Sequence, residues 1–168
     1  ENEVGRSNFR GLYEGYYVGD QRAEIQKVRL YRKGGEVVEI PGRESNDWFG
    51  RGEFGRYNSV GVSLPNPEIG DVVEIESRVD TLKLGFFGYY FQANEFMQSN
   101  VPIDHVQIVF ILPKDRDFYF KTSGAVASPV SKIVGESKIT VYEMKKSPRI
   151  EPEPFMPWAK EVNPRVAV

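Results

Sequence analysis

SLPNPEIGDVVEIES, residues 63–77, holds both halves of the fold argument. Its first nine positions carry two prolines, an Asn and a Gly-Asp pair, residue types that set turn backbone. From Val72 a period of two takes over. Val73, Ile75, Ser77 and Val79 face one way, and Val72, Glu74, Glu76 and Arg78 face the other. That alternation predicts a half-buried antiparallel strand with its acidic residues on the wet face. The same stretch poses a second question, because Glu68, Asp71, Glu74 and Glu76 could ligate an ion. A calcium site takes roughly 6–8 oxygens from closely spaced loop positions. The D-x-[DN]-x-[DN]-G loop is missing, and two of these carboxylates lie on the strand, so the solvated face is the favoured reading and no metal is expected.

Moving outward, AEIQKVRLYRKGGEVVEI reads as a hairpin. Ala23, Ile25, Lys27, Arg29 and Tyr31 alternate with Glu24, Gln26, Val28 and Leu30, and Lys33-Gly34-Gly35 supplies the turn. HVQIVFILP is apolar on both parities and predicts a central strand covered on both faces and ended by Pro113. Further strands are expected after Gly85, over residues 117–121 and over residues 138–145. The tail, SPRIEPEPFMPWAKEVNPRVAV, holds five of the eleven prolines. That density argues against a regular helix or a central strand and for an extended connector. The expected organisation is therefore an all-β domain over residues 1–147 and a Pro-rich connector over residues 148–168. Its fold class is an antiparallel β-sandwich, immunoglobulin-like or related, with a closed β-barrel as the alternative.

Composition narrows function. The 168 residues are 40% hydrophobic and 27% charged, with a net charge of -2. A basic stripe for nucleic acid is lacking, and so is an apolar run long enough to span a bilayer, so neither partner is expected. There is no cysteine and one histidine, His105. These remove thiolate chemistry, charge-relay triads and two-histidine metal motifs, and leave no catalytic residue and no cofactor to assign.

The candidate binding segment is DWFGRGEFGRYN. It interleaves Trp48, Phe49 and Tyr57 with Arg51 and Arg56, a mixture that could stack on sugars or hold a peptide. Core aromatics anchoring a long loop are the plainer reading. In EPEPFMPW, Phe155, Met156 and Trp158 are candidates for packing against this domain or a neighbour.

Three clauses taken together resemble one family: LPNPEIGDVVEIES, FMQSNVPIDHVQIVFILP and the proline-aromatic-methionine tail that leads into RVAV. The RAEIQKVRLYRKGGEVVEI hairpin fits the same pattern. The chain resembles the DUF3857 domains of bacterial proteins from about Ala23 to its end. The resemblance implies a non-catalytic β-sandwich that stands before a transglutaminase-like domain in exported proteins, periplasmic or extracellular. The adjoining domain is then the implied partner, and its catalytic set maps onto nothing here. Against that family pattern the chain reads as lacking its first strands. An unpaired sheet edge, and self-association through it, are expected on that account.

Overall fold

The computed structural model describes residues 11–44, 57–83, 91–151 and 153–168. Four of the candidate binding residues, Trp48, Phe49, Arg51 and Arg56, lie outside that set, as do residues 86–90 of the expected strand after Gly85. The described chain is all-β and antiparallel, consistent with the sandwich expected, and none of its sheets closes into a barrel. Within residues 1–147, expected as one sandwich, lies a boundary between two compact units, Glu1–Tyr89 and Tyr90–Val168.

In the first unit, β1 (Gly11–Tyr17) pairs with β5 (Tyr57–Ser63) as a two-stranded ribbon. The strand β2 (Gln21–Tyr31) centres a second sheet. It pairs along its length with β6 (Val72–Thr81), and in succession with β3 (Val37–Ile40) and β4 (Arg43–Glu44). Ribbon and sheet meet over one core, where Tyr16 and Val60 from the ribbon pack with Ala23, Ile25 and Val28 from β2. Leu64, just after β5, closes it. The strand read from residues 63–77 is present, starts at Val72, and keeps Val73 packed on that core.

The alternation expected along β2 needs a correction. The register against β6 shifts between Ile25 and Lys27, leaving Gln26 as an extra residue. A bulge of this kind switches the parity of everything beyond it. Ala23 and Ile25 therefore share the buried face with Val28 and Leu30, while Lys27 and Arg29 turn outward. Strict alternation would instead place Lys27 beside Ile25 in the core. Gly42 seats the bulge, because a Cβ there would collide with the Ile25 carbonyl oxygen.

In the second unit, β7 (Asn94–Phe96), β9 (Lys121–Ser123) and β12 (Arg165–Ala167) form one sheet in the order β7-β12-β9. The other has the order β10-β11-β8, from β8 (Ile103–Pro113), β10 (Val130–Val134) and β11 (Ser137–Ser147). Their shared core is Met97, Phe110, Tyr142 and Val166, all buried. The rings of Phe110, Phe120 and Tyr142 pack mutually, with centroids 5.3–6.2 Å apart. Edge-on aromatic contacts at such separations add to the area they bury.

Three expectations about this unit are overturned. The strand expected over residues 117–121 begins only at Lys121 and runs to Ser123 as β9. Among the described strands β8 is not central: it ends its sheet, and Val109 and Ile111 are exposed. Its two-sided apolar pattern reflects one buried face, Val106, Ile108, Phe110 and Leu112, and one that remains uncovered among the described residues. The proline-rich tail does enter a sheet. Prolines stop at Pro164, so Arg165, Val166 and Ala167 each carry an N–H that a sheet can use, and β12 lies between β7 and β9. A four-residue helix, α1 (Ala159–Val162), precedes it.

Candidate functional site

The outer face of the β1–β5 ribbon is built from the odd-numbered residues of both strands. Those of β1 read Gly-Tyr-Gly-Tyr and those of β5 read Tyr-Ser-Gly-Ser. The even positions Leu12 and Tyr16, with Val60 and Val62, face the core, so the register sends tyrosines outward opposite or beside glycines. Tyr13 pairs with Gly61, and a Cβ on Gly61 would strike the Tyr13 ring. A Cβ on Gly11 would come within 2.7 Å of the Tyr13 phenol oxygen. Likewise a Cβ on Gly15 would strike the phenol of Tyr57. Both side chains thus lie across backbone that carries no side chain. Tyr17 completes the group, edge-on to Tyr57 at a centroid separation of 5.3 Å. Exposure is 72% for Tyr13, 64% for Tyr57 and 51% for Tyr17. Of the sequence-derived binding residues, Tyr57 is the one among the described residues, and it falls in this group. Tyr13 and Tyr17 were missed, although alternation of Gly and Tyr through GLYEGYY was the available signal.

A second surface lies in the unit Tyr90–Val168. Phe96, Ser99, Ile150, Met156 and Asn163 contribute to an open, largely apolar pocket of about 390 Å³. Asn163 is buried and donates from Nδ2 to the Gln98 carbonyl at 3.1 Å. Its Oδ1 has no partner among the described residues. Of the three interface candidates in the tail, Met156 lines this pocket, whereas Phe155 and Trp158 project into solvent. Phe155 adopts φ 63°, a left-handed conformation that costs a bulky side chain energy. The chain thus accepts strain where it holds an aromatic ring outward.

The acidic groups of residues 63–77 separate into two structural roles. Asp71 is almost fully buried and accepts from Arg32 Nη1 at 2.8 Å, from the Glu68 N–H at 2.9 Å and from the Lys33 N–H at 3.3 Å. The same Arg32 donates to the carbonyls of Pro65 and Asn66, both at 2.9 Å. Hydrogen bonds from the Glu68 amide, with Arg32 beside it, hold the Asp71 carboxyl below its ordinary range. Glu74 lies on the outer sheet face, taking bonds from Lys27 Nζ at 2.6 Å and from Tyr31 Oη at 2.7 Å. These lower its pKa, the lysine first. Each of the two carboxylates is committed to cations and donors within the fold. Among the described residues no group of three or more His, Asp or Glu side chains is placed to hold a metal ion.

His105 sits on the exposed face of β8 and pairs with Glu143 of β11 at 2.7 Å, with Lys145 3.5 Å from the same carboxylate. The histidine contact lowers the Glu143 pKa. This is a cross-strand surface pair, with register Lys145 opposite His105 and Glu143 opposite Gln107. Exposed pairs of this kind contribute little to stability. No described helix is long and apolar enough to cross a membrane.

Comparison with known proteins places these surfaces in context. The family model for DUF3857, a domain of unknown function with a solved structure, matches residues 2–151. No curated protein matches the sequence. Among solved structures, a protein from Parabacteroides distasonis described as a "putative protease" is similar at 17% identity and a TM-score of 0.78. That likeness is one of fold. It covers 98% of this chain and 34% of the other, so this chain spans about a third of that protein's length.

Proposed function

The chain belongs to the DUF3857 family, and from that premise we propose that it is a non-catalytic accessory β-sandwich module that positions or regulates an adjoining transglutaminase-like domain in an exported, periplasmic or extracellular, bacterial protein. The observation that carries this reading is the tail surface. Phe155 and Trp158 are exposed beside a pocket lined by Met156, and Phe155 is held outward by a strained backbone. Aromatic residues at an apolar pocket are the usual anchors of a protein interface. The structural neighbour supports the modular part of the reading, since there the same fold occupies 34% of a longer chain.

The test uses the parent protein. The double variant Phe155→Ser, Trp158→Ser should leave the circular dichroism of this module unchanged. It should also lower the melting temperature of the adjoining domain and increase hydrogen exchange at the contact. A parent protein with no transglutaminase-like domain, or an adjoining domain indifferent to the double variant, would overturn the proposal.

A further inference from the structure

We propose that the outer face of the β1–β5 ribbon is a binding platform for a neutral oligosaccharide, with Tyr13 and Tyr57 as its stacking rings. The site belongs to the unit Glu1–Tyr89 and stands independently of whether the tail surface docks a neighbouring domain. Its argument begins with an apparent extravagance of the sequence. Gly11, Gly15 and Gly61 all lie within paired strands, where glycine costs roughly 0.5–1 kcal/mol against alanine. What those glycines provide is room. Each leaves bare backbone against which a tyrosine side chain rests, and both side chains stay largely exposed.

Two exposed rings seated over glycines of a paired ribbon are already in place before a ligand arrives. Pre-organisation of that kind reduces the entropic cost of binding. Tyr13 and Tyr57 lean over rows of the ribbon four residues apart, on the order of 13 Å at the strand rise. That separation suits a chain of sugar rings better than a single small molecule. The chemistry of the face selects the ligand class. Its side chains are phenols and the hydroxyls of Ser59 and Ser63, with no lysine or arginine among the outward residues of either strand. Single-stranded nucleic acid, which also stacks on aromatics, requires cations for its phosphates. An anionic glycan would require them equally. A neutral sugar presents C–H faces to the rings and hydroxyls to the phenols and serines. Rings over glycine also shield the backbone between strands, and the experiment separates this from ligand binding.

The intact chain, labelled with ¹⁵N, would be titrated with cellohexaose, mannohexaose and xylohexaose, and with an oligogalacturonate and a thymidine oligonucleotide as anionic comparators. Saturable shifts at the amides of Gly15, Ser59 and Gly61 with at least one neutral hexaose are expected. Tyr13→Ala and Tyr57→Ala should each weaken binding by about tenfold or more. Because those changes could also loosen the ribbon, two further variants complete the set. Tyr57→Phe keeps the ring and should retain binding, while Ser59→Glu keeps every ring and should weaken it. The proposal fails if no neutral hexaose saturates, or if the anionic comparators bind more tightly. It fails equally if the alanine variants melt earlier yet bind as the native chain does.

Discussion

Asp71 shows how one buried carboxylate can serve the fold while resembling a ligand in the sequence. With two backbone N–H donors and a guanidinium around it, the group ties the turn at residues 65–71 to the β2–β3 hairpin. Gly70, at φ 99°, and Asn66, at φ 40°, supply the left-handed backbone that brings the aspartate back under Arg32. Asp71→Asn should keep the shape, weaken the ion pair and lower the melting temperature by several degrees. The pH dependence follows from the sign of the shift. A carboxyl whose folded pKa lies below its unfolded value stabilises the fold above the unfolded pKa, near 3.8, and loses that contribution as pH falls through the folded value. The native chain should therefore lose stability through this group only in that acid range, and Asp71→Asn should flatten that part of the profile in melts recorded from neutral pH downward. At this scale the sequence revealed types and spacing but not partners. Glu74 and Glu76 read correctly as a strand face, whereas the bond between Asp71 and Arg32 joins residues 39 positions apart and leaves no local pattern.

Strands were more legible than their pairing. Val72 onward, the β2–β3 hairpin, and β8 and β11 all announce themselves by alternation or β-branched runs, because period two is a property of one strand alone. Bulges, edges and strand order depend on the neighbour, and these are where the expectations failed. Gly42 offers a measurement of the bulge. Gly42→Ala sets a methyl group against the Ile25 carbonyl, and the required backbone shift should cost about 1–3 kcal/mol, read from the denaturant midpoint. An unchanged midpoint would mean that the bulge is not seated as described. The strand β12 was hidden for a different reason: three residues after a run of prolines carry no period, and only β7 and β9 make them a strand. Val166 is fully buried there. Val166→Ala should destabilise the unit Tyr90–Val168 by on the order of 2 kcal/mol, followed by hydrogen exchange in β7 and β9. If the tail were merely a connector, exchange in those strands would not change.

For the molecule as a whole, self-association through a sheet edge is the remaining question, and among the described strands β8 offers a long edge for it. Among the described strands β8 has one partner, β11, and so presents its other edge over eleven residues. Natural edge strands are usually blunted by charge, proline or a bulge. Here such features stay at the ends, with Asp104 and His105 before and Pro113 and Lys114 after. Between them QIVFIL, residues 107–112, has no charge, proline or glycine, the pattern of a segment that pairs with copies of itself. Val109 and Ile111 also stand exposed on the outer sheet face, opposite Val141 and Ile139 of β11. A second copy laid antiparallel along β8 would pair the N–H and C=O groups of that edge and extend the apolar outer face on which these side chains stand. We therefore expect reversible association that grows from micromolar to millimolar concentration in sedimentation velocity. Ile111→Lys, which places a charge on an already exposed position, should weaken it by about tenfold or more without moving the melting temperature of the monomer. A strict monomer at millimolar concentration would leave the β8 edge for some other strand to fill.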